Sequence, residues 1–227
     1  MSAALVIALV GAESTGKTTL AAALAGRIAQ DTGLSCTSVA EVLREWCDRE
    51  GRTPRADEQQ GIAQAQQARI AQAASAHDVV VADTTALMIA VYSRLVFGDR
   101  SLDDWAAQQH RQSVHLTLLT ALDLPWVADG LQRDGPHVRG PVDAALRDLM
   151  SGGGVAWSLV SGRDDARVAS ALDAATPLLR ARARPGSGLF TRLAERDAAQ
   201  PGWQWVCEKC DAPECEHRLM RSRSGGT

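Results

Sequence analysis

The sequence predicts an α/β protein with a mostly parallel sheet of about five strands flanked by helices, the layout of P-loop nucleotide-binding proteins. A short Cys/His tail follows it. Three observations carry this expectation. A continuous apolar run, Ala4–Val10, leads straight into Gly11-Ala12-Glu13-Ser14-Thr15-Gly16-Lys17-Thr18, which fits the pattern GxxxxGK[ST]. Strand-length apolar runs then alternate with helical stretches, as βαβ units require. After Arg184 the texture changes to a Pro-Gly-Ser-Gly linker and a cysteine-bearing end.

The elements follow in order. Ala4–Val10 is apolar throughout, which suits a central strand covered on both faces. Thr18–Gln30 is rich in Ala and Leu and predicts a helix. Ser35–Ala40 predicts a second strand, and Glu41–Glu50 a helix with Val42, Leu43 and Trp46 on one side. Thr53-Pro54 breaks the chain, and Ala56–His77 predicts a long helix anchored by Ile62 and Ile70. Asp78–Ala82 predicts a strand that ends at Asp83. Helices are expected over Ala86–Phe97 and Asp103–Gln112, then a strand over Val114–Leu119. Trp126–Gly140, rich in Gly, Asp and Arg, predicts a mobile loop. A helix is expected over Pro141–Met150 with its proline at the start, where a missing N–H matters least. Val155–Val160 predicts the last strand and Asp164–Ala175 the last long helix, ended or kinked by Pro177, with a further helical turn or two over Leu178–Arg184.

Residues 1–184 therefore form the expected nucleotide-binding domain and 185–227 a linker and tail. The 227 residues are enough for one α/β domain plus a short appendage. The net charge of −3 gives no electrostatic case for nucleic acid or an anionic membrane as partner. Ala3–Val10 is too short for a membrane span and lacks a basic flank, so a cytoplasmic location is expected. The five cysteines, an odd count, argue against a disulfide framework, and Cys36 and Cys47 are expected to be ordinary buried thiols. His77, His110, His115 and His137 show no ligand spacing.

The phosphate loop has a chemical reading at each position. Gly11 and Gly16 permit backbone shapes that turn N–H groups inward. The helix opening at Lys17 presents its positive end to phosphates. Lys17 is expected to reach the β- and γ-phosphates of ATP, with GTP as the alternative. The Thr18 hydroxyl is expected to ligate Mg²⁺, with Glu13, Ser14, Thr15 and Thr19 completing the nucleotide contacts.

Four segments resemble the nicotinamide-riboside kinase domain of the bifunctional NadR proteins and the wider NadR-like P-loop ATPase/kinase group. They are Gly11–Leu20 (GAESTGKTTL), Ala40–Trp46 (AEVLREW), Val80–Thr85 (VVADTT) and Pro125–Arg133 (PWVADGLQR). The likeness covers roughly residues 4–175, with Thr85 and Gln132 as departures, where relatives carry an acid and an arginine. It implies an ATP- and Mg²⁺-dependent kinase acting on a nucleoside, nicotinamide riboside first.

The resemblance implies site residues as well. Asp83, at a strand end, stands where a Walker-B carboxylate holds Mg²⁺ through water; as a residue type it equally suits a helix N-cap. Glu41 is the expected base or ribose ligand, with Arg44 and Glu45 on the same helical face, where a solvated salt-bridge cluster is the alternative. Gln66 is the residue of the long helix expected to read the substrate, in competition with Gln59, Gln60, Gln64, Gln67 and Gln72; an exposed polar helix residue is the alternative for each. Trp126, Asp129, Arg133 and Arg139 belong to the expected lid. Its arginines would neutralise transition-state charge, Asp129 sits at its hinge end, and Trp126 either stacks on a flat ring or packs in the core. In the tail, Cys207, Cys210, Cys215 and His217 carry four N/S ligands, which suits Zn²⁺; free thiols in a docking segment are the alternative. Against the kinase stands a second class, a regulatory nucleotide switch or ATPase whose tail binds a partner.

Overall fold

The computed structural model describes residues 3–127 and 135–182. The expected domain boundary, the tail ligands Cys207, Cys210, Cys215 and His217, and the lid residues Asp129 and Arg133 lie outside the described residues. The elements run β1 (Leu5–Val10), α1 (Lys17–Thr32), β2 (Cys36–Val39), α2 (Val42–Glu50), α3 (Gln59–Ala76), β3 (Val79–Asp83), α4 (Ala86–Phe97) and α5 (Asp103–Ser113). They continue with β4 (Leu116–Thr120), α6 (Arg139–Gly152), β5 (Ser158–Val160) and α7 (Asp164–Arg182). Short 3-10 turns at Ala56–Glu58 and Pro136–Val138 lead into α3 and α6.

The five strands form one parallel sheet in the order β2-β3-β1-β4-β5. β1 is central, with Leu9 opposite Asp83 on one side and Leu118 on the other. All six β1 residues are buried, as strands covered on both faces must be. On one face Val10 shares an apolar cluster with residues of α2, α3, α4, α5 and α6. α1 packs against β2, β3 and α7. Its buried residues Leu20, Leu24 and Ile28 recur every fourth position and form one stripe. Ile62 and Ile70 are buried anchors of α3, as expected. Among the described residues, no helix is long and apolar enough to cross a membrane.

Four expectations are corrected. Of the two outcomes expected at Pro177, an end does not occur: α7 runs through the proline to Arg182, across the further turns expected there. Burial of Leu172, Ala175 and Leu179 on α7, which packs against α1, outweighs the lost proline hydrogen bond. The region Trp126–Gly140 is not all loop. Pro136 opens a 3-10 turn, so α6 starts at Arg139, two residues before Pro141. The last strand is only Ser158–Val160, because the Val155 N–H bonds Met150 O at 2.8 Å and closes the exit of α6. Cys47 is buried, but Cys36, in the edge strand β2, is only half-buried. Burial, then the nearby Asp78 carboxylate, pushes the Cys36 thiol up to about 11, which keeps it protonated.

One histidine that the sequence left unassigned joins two elements of the core. His110 of α5 is buried, with Nδ1 3.1 Å from Thr85 Oγ1 and Nε2 2.7 Å from Thr117 Oγ1. Thr85 caps α4 and accepts from the Leu87 N–H. Burial lowers the His110 pKa to about 4, below the ordinary value of 6.5. The unfolded chain therefore binds this proton more readily than the fold does, so stability falls as pH drops from about 6.5 to 4. The loss is of order 3 kcal/mol at the acid end of that window. Urea titrations at pH 7 and pH 4.5 on the native chain and His110→Gln check this. The native chain loses more stability between those pH values than the variant.

Candidate nucleotide-binding site

The site forms at the carboxyl end of the central strand, where parallel α/β sheets receive ligands. β1 delivers Gly11 at φ 148, and the loop closes through Ser14 at φ 53 and Gly16 at φ 75. Gly16 is the N-cap of α1. The tightness of the turn explains the first glycine. A Cβ on Gly11 would stand 2.1 Å from Thr120 Oγ1. Thr120, at the end of β4, lies 2.7 Å from Thr15 Oγ1, which in turn donates to Ala12 O at 2.8 Å. Thr15 thus belongs to the scaffold beneath the loop. Lys17 Nζ donates to the carbonyls of Gly11 (2.9 Å) and Ala12 (2.8 Å), an arch that keeps the ammonium over the loop. Thr19 is exposed on the first turn of α1.

The carboxylate expected at the end of β3 meets the loop. Thr18 Oγ1 donates to Asp83 Oδ2 at 2.5 Å, while Asp83 Oδ1 is buried without a partner. Thr85 caps α4, so the alternative of Asp83 as the N-cap does not hold. The donor set is a hydroxyl and a carboxylate with an unspent oxygen. That fits Mg²⁺, which takes one or two hard protein oxygens and completes its shell with phosphate and water. Among the described residues, no three His, Cys, Asp or Glu side chains gather as an all-protein metal cage.

The residues expected on the substrate side lie on the chain that follows β2 and on α3. Glu41 is the N-cap of α2 and lies 3.7 Å from Arg44. Glu45 points instead to Arg69 of α3, at 2.7 Å across an exposed pair worth little to stability. Gln66, expected to read the substrate, has another occupation. It is fully buried, its Oε1 accepts from the Val42 N–H at 2.7 Å, and its Nε2 donates to Ala40 O at 3.4 Å. The amide therefore braces both neighbours of Glu41. Binary patterning could not separate this glutamine from the others on α3; only the approach of β2 singles it out.

Beyond β4, the chain is fastened to the phosphate loop. Ser14 Oγ donates to Val127 O at 2.6 Å. This holds Trp126, the neighbour of Val127, close to the loop, and its buried indole Nε1 has no partner. Arg139 is not a free lid arginine but the first residue of α6, 8% exposed, with Nη1 donating to Leu124 O at 2.8 Å. Its Nε and Nη2 have no partner, so two nitrogens with three N–H donors remain for an anion. Leu124 also lies against the loop, its Cδ1 3.0 Å from where a Gly16 Cβ would stand.

Arg167 escaped the sequence reading, because an arginine in an ordinary helical pattern carries no motif. It is 4% exposed. Its guanidinium bonds Asp123 Oδ1 (2.8 Å), Gly162 O (2.8 Å), Thr15 O (2.9 Å) and Ala121 O (3.2 Å). One planar group thereby joins the phosphate loop to the ends of β4 and β5. Burial alone would raise the Asp123 pKa, but the hydrogen bonds from Arg167 and the Gly162 N–H outweigh it and hold the carboxyl below its usual range.

A phosphate loop after the central strand, with the hydroxyl after its lysine bonded to the carboxylate of the next strand, defines a P-loop nucleotide-binding protein. The chain belongs to the AAA_28 family, whose model, described as an AAA domain, matches residues 6–167. A comparison with curated proteins found no match. Among solved structures, the fold is similar to NadR protein in complex with NR, at 18% identity and TM-score 0.60 over 77% of this chain and 50% of that one. NadR in complex with NAD and AMP-PNP gives 18% and 0.62 over 77% and 49%. Thymidylate kinase from Ehrlichia chaffeensis gives 14% and 0.51 over 78% and 100%. The chain thus spans about half the length of the NadR structures, and the expected NadR-like fold is present.

Proposed function

We propose that the protein is an ATP-dependent small-molecule kinase that transfers the γ-phosphoryl group to a hydroxyl of a nucleoside, nicotinamide riboside first. The observation that carries the reading is the Thr18–Asp83 contact at 2.5 Å beside the Lys17 arch, with Glu41 braced one strand further along. Support also comes from the fold, shared with NadR in complex with NR and with a thymidylate kinase.

In this reading the loop amides and Lys17 hold the triphosphate, and Thr18 and Asp83 hold Mg²⁺. The metal, when bound, offsets charge on the β- and γ-phosphates. Glu41 orients the acceptor and takes its proton late, since phosphoryl transfer depends mainly on positioning and charge. Arg139 offers its unspent Nε and Nη2 donors to the phosphoryl oxygens.

Full-length protein with ATP, Mg²⁺ and a nucleoside panel, followed by phosphorus NMR, tests the reading. A nucleoside monophosphate and ADP in equal amounts are expected, with nicotinamide riboside the best acceptor. ADP and inorganic phosphate alone, at the same slow rate with every nucleoside, would favour the ATPase or switch and end the kinase reading.

A further inference from the structure

Three buried oxygens at the carboxyl ends of the adjacent strands β1 and β3 have no hydrogen-bond partner: Glu13 Oε2, Asp83 Oδ1 and Thr84 Oγ1. Asp83 is accounted for by the metal site. The other two are not, although Glu13 is 7% exposed and Thr84 0%.

Thr84 burdens the fold in two ways. Its backbone stands at φ 76, a region that glycine or asparagine enters easily and a β-branched residue does not. Its hydroxyl is buried and unbonded, where valine would fill the same volume without a polar atom. Neither feature helps to form the turn, since Thr85 supplies the cap of α4. The Thr84 N–H bonds Leu9 O at 3.0 Å, which sets the residue beside the start of the phosphate loop. Strain and an unpaired buried group together are the marks of a ligand site.

The chemistry of the pair narrows the ligand. A polyphosphate offers oxygens that need hydrogen-bond donors. A carboxylate cannot serve them, so Glu13 is a poor phosphate ligand despite its place in the loop. It requires a partner that donates, and the hydroxyl of Thr84, the residue that follows the strand paired with β1, can both donate and accept. A neutral polyol supplies that combination.

We propose that Glu13 and Thr84 form a subsite for the sugar hydroxyls of the acceptor, Glu13 accepting and Thr84 exchanging hydrogen bonds with them. This rests on the kinase reading and makes the pair specificity-determining. Kinetics of the full-length protein, Glu13→Gln, Thr84→Val and Thr84→Ser test it on the best ribonucleoside and on its 2′-deoxy and 3′-deoxy analogues. Calorimetry with MgATP and thermal unfolding accompany them.

Glu13→Gln and Thr84→Val should lower kcat/KM for the ribonucleoside about 10- to 100-fold, the effect of an unmade hydrogen bond in a buried site. Thr84→Ser should retain most of it. The loss should shrink to about twofold or less on the analogue that lacks the recognised hydroxyl, as a double-mutant cycle requires. MgATP affinity should be unchanged in Thr84→Val, which should also melt no lower than the native chain. Equal losses on all three acceptors, or unchanged kcat/KM in both variants, would overturn the subsite while leaving the kinase intact. A native chain that phosphorylates no nucleoside removes both.

Discussion

Lys17→Ala is expected to lower phosphoryl transfer from ATP by about 10²- to 10³-fold, the usual effect of removing one preorganised charge from a transition state. Lys17 is the cation at the centre of the loop, and its arch over the Gly11 and Ala12 carbonyls keeps the ammonium in place. The Ala12 carbonyl keeps its bond from Thr15 Oγ1 when the ammonium is removed, so the fold should lose no more than about 1–2 kcal/mol. A steady-state assay beside a urea titration separates the two effects. Lost activity, with an unfolding midpoint lowered no further than that stability change implies, is the expected pair. Full activity in the variant would remove the loop from the chemistry.

Gly11→Ala is expected to damage the fold itself. The added methyl would meet Thr120 Oγ1 at 2.1 Å and Thr120 O at 3.2 Å, on a backbone at φ 148. Thr120 is fully buried and cannot swing aside, because its hydroxyl lies 2.7 Å from Thr15 Oγ1 and 3.2 Å from Val10 O. Overpacking and backbone strain together should cost about 2–5 kcal/mol, a large part of the stability of a domain. Thr120→Ala in the same chain relieves the closest clash but not the backbone, so the double variant should recover part of the loss. Nucleotide affinity should remain impaired in both. A single variant within about 0.5 kcal/mol of the native chain, the range of a neutral surface change, would mean that the loop is less tightly seated than these distances imply.

Much of this was legible before any coordinates. Ala4–Val10 is apolar at every position, so a central parallel strand follows, and the eight residues after it mark the loop between β1 and α1 through local backbone chemistry. Asp83 was legible because it ends an apolar run at the carboxyl edge of the sheet. The illegible parts depend on tertiary partners. Nothing local distinguishes Gln66 from its neighbours on α3; its role arises when β2 brings Ala40 and Val42 within reach. Arg167 sits in an ordinary helical pattern and becomes a clamp only because β4 and β5 end beneath it. Pro177 reads as a stop or a kink by local rules, and packing decides that α7 continues through it. Arg139 reads as a loop residue because Pro141 resembles a helix start, whereas Pro136 had already begun the turn.

The central claim is a polyphosphate site built from the loop amides, Lys17, Thr18 and Asp83. Calorimetric titration of MgATP into the full-length protein tests it most directly. Saturable binding at one site is expected, with an affinity of about 1 µM to 1 mM, weakened in Lys17→Ala and dependent on Mg²⁺. No binding heat with either MgATP or MgGTP, or equal binding by Lys17→Ala, would contradict it.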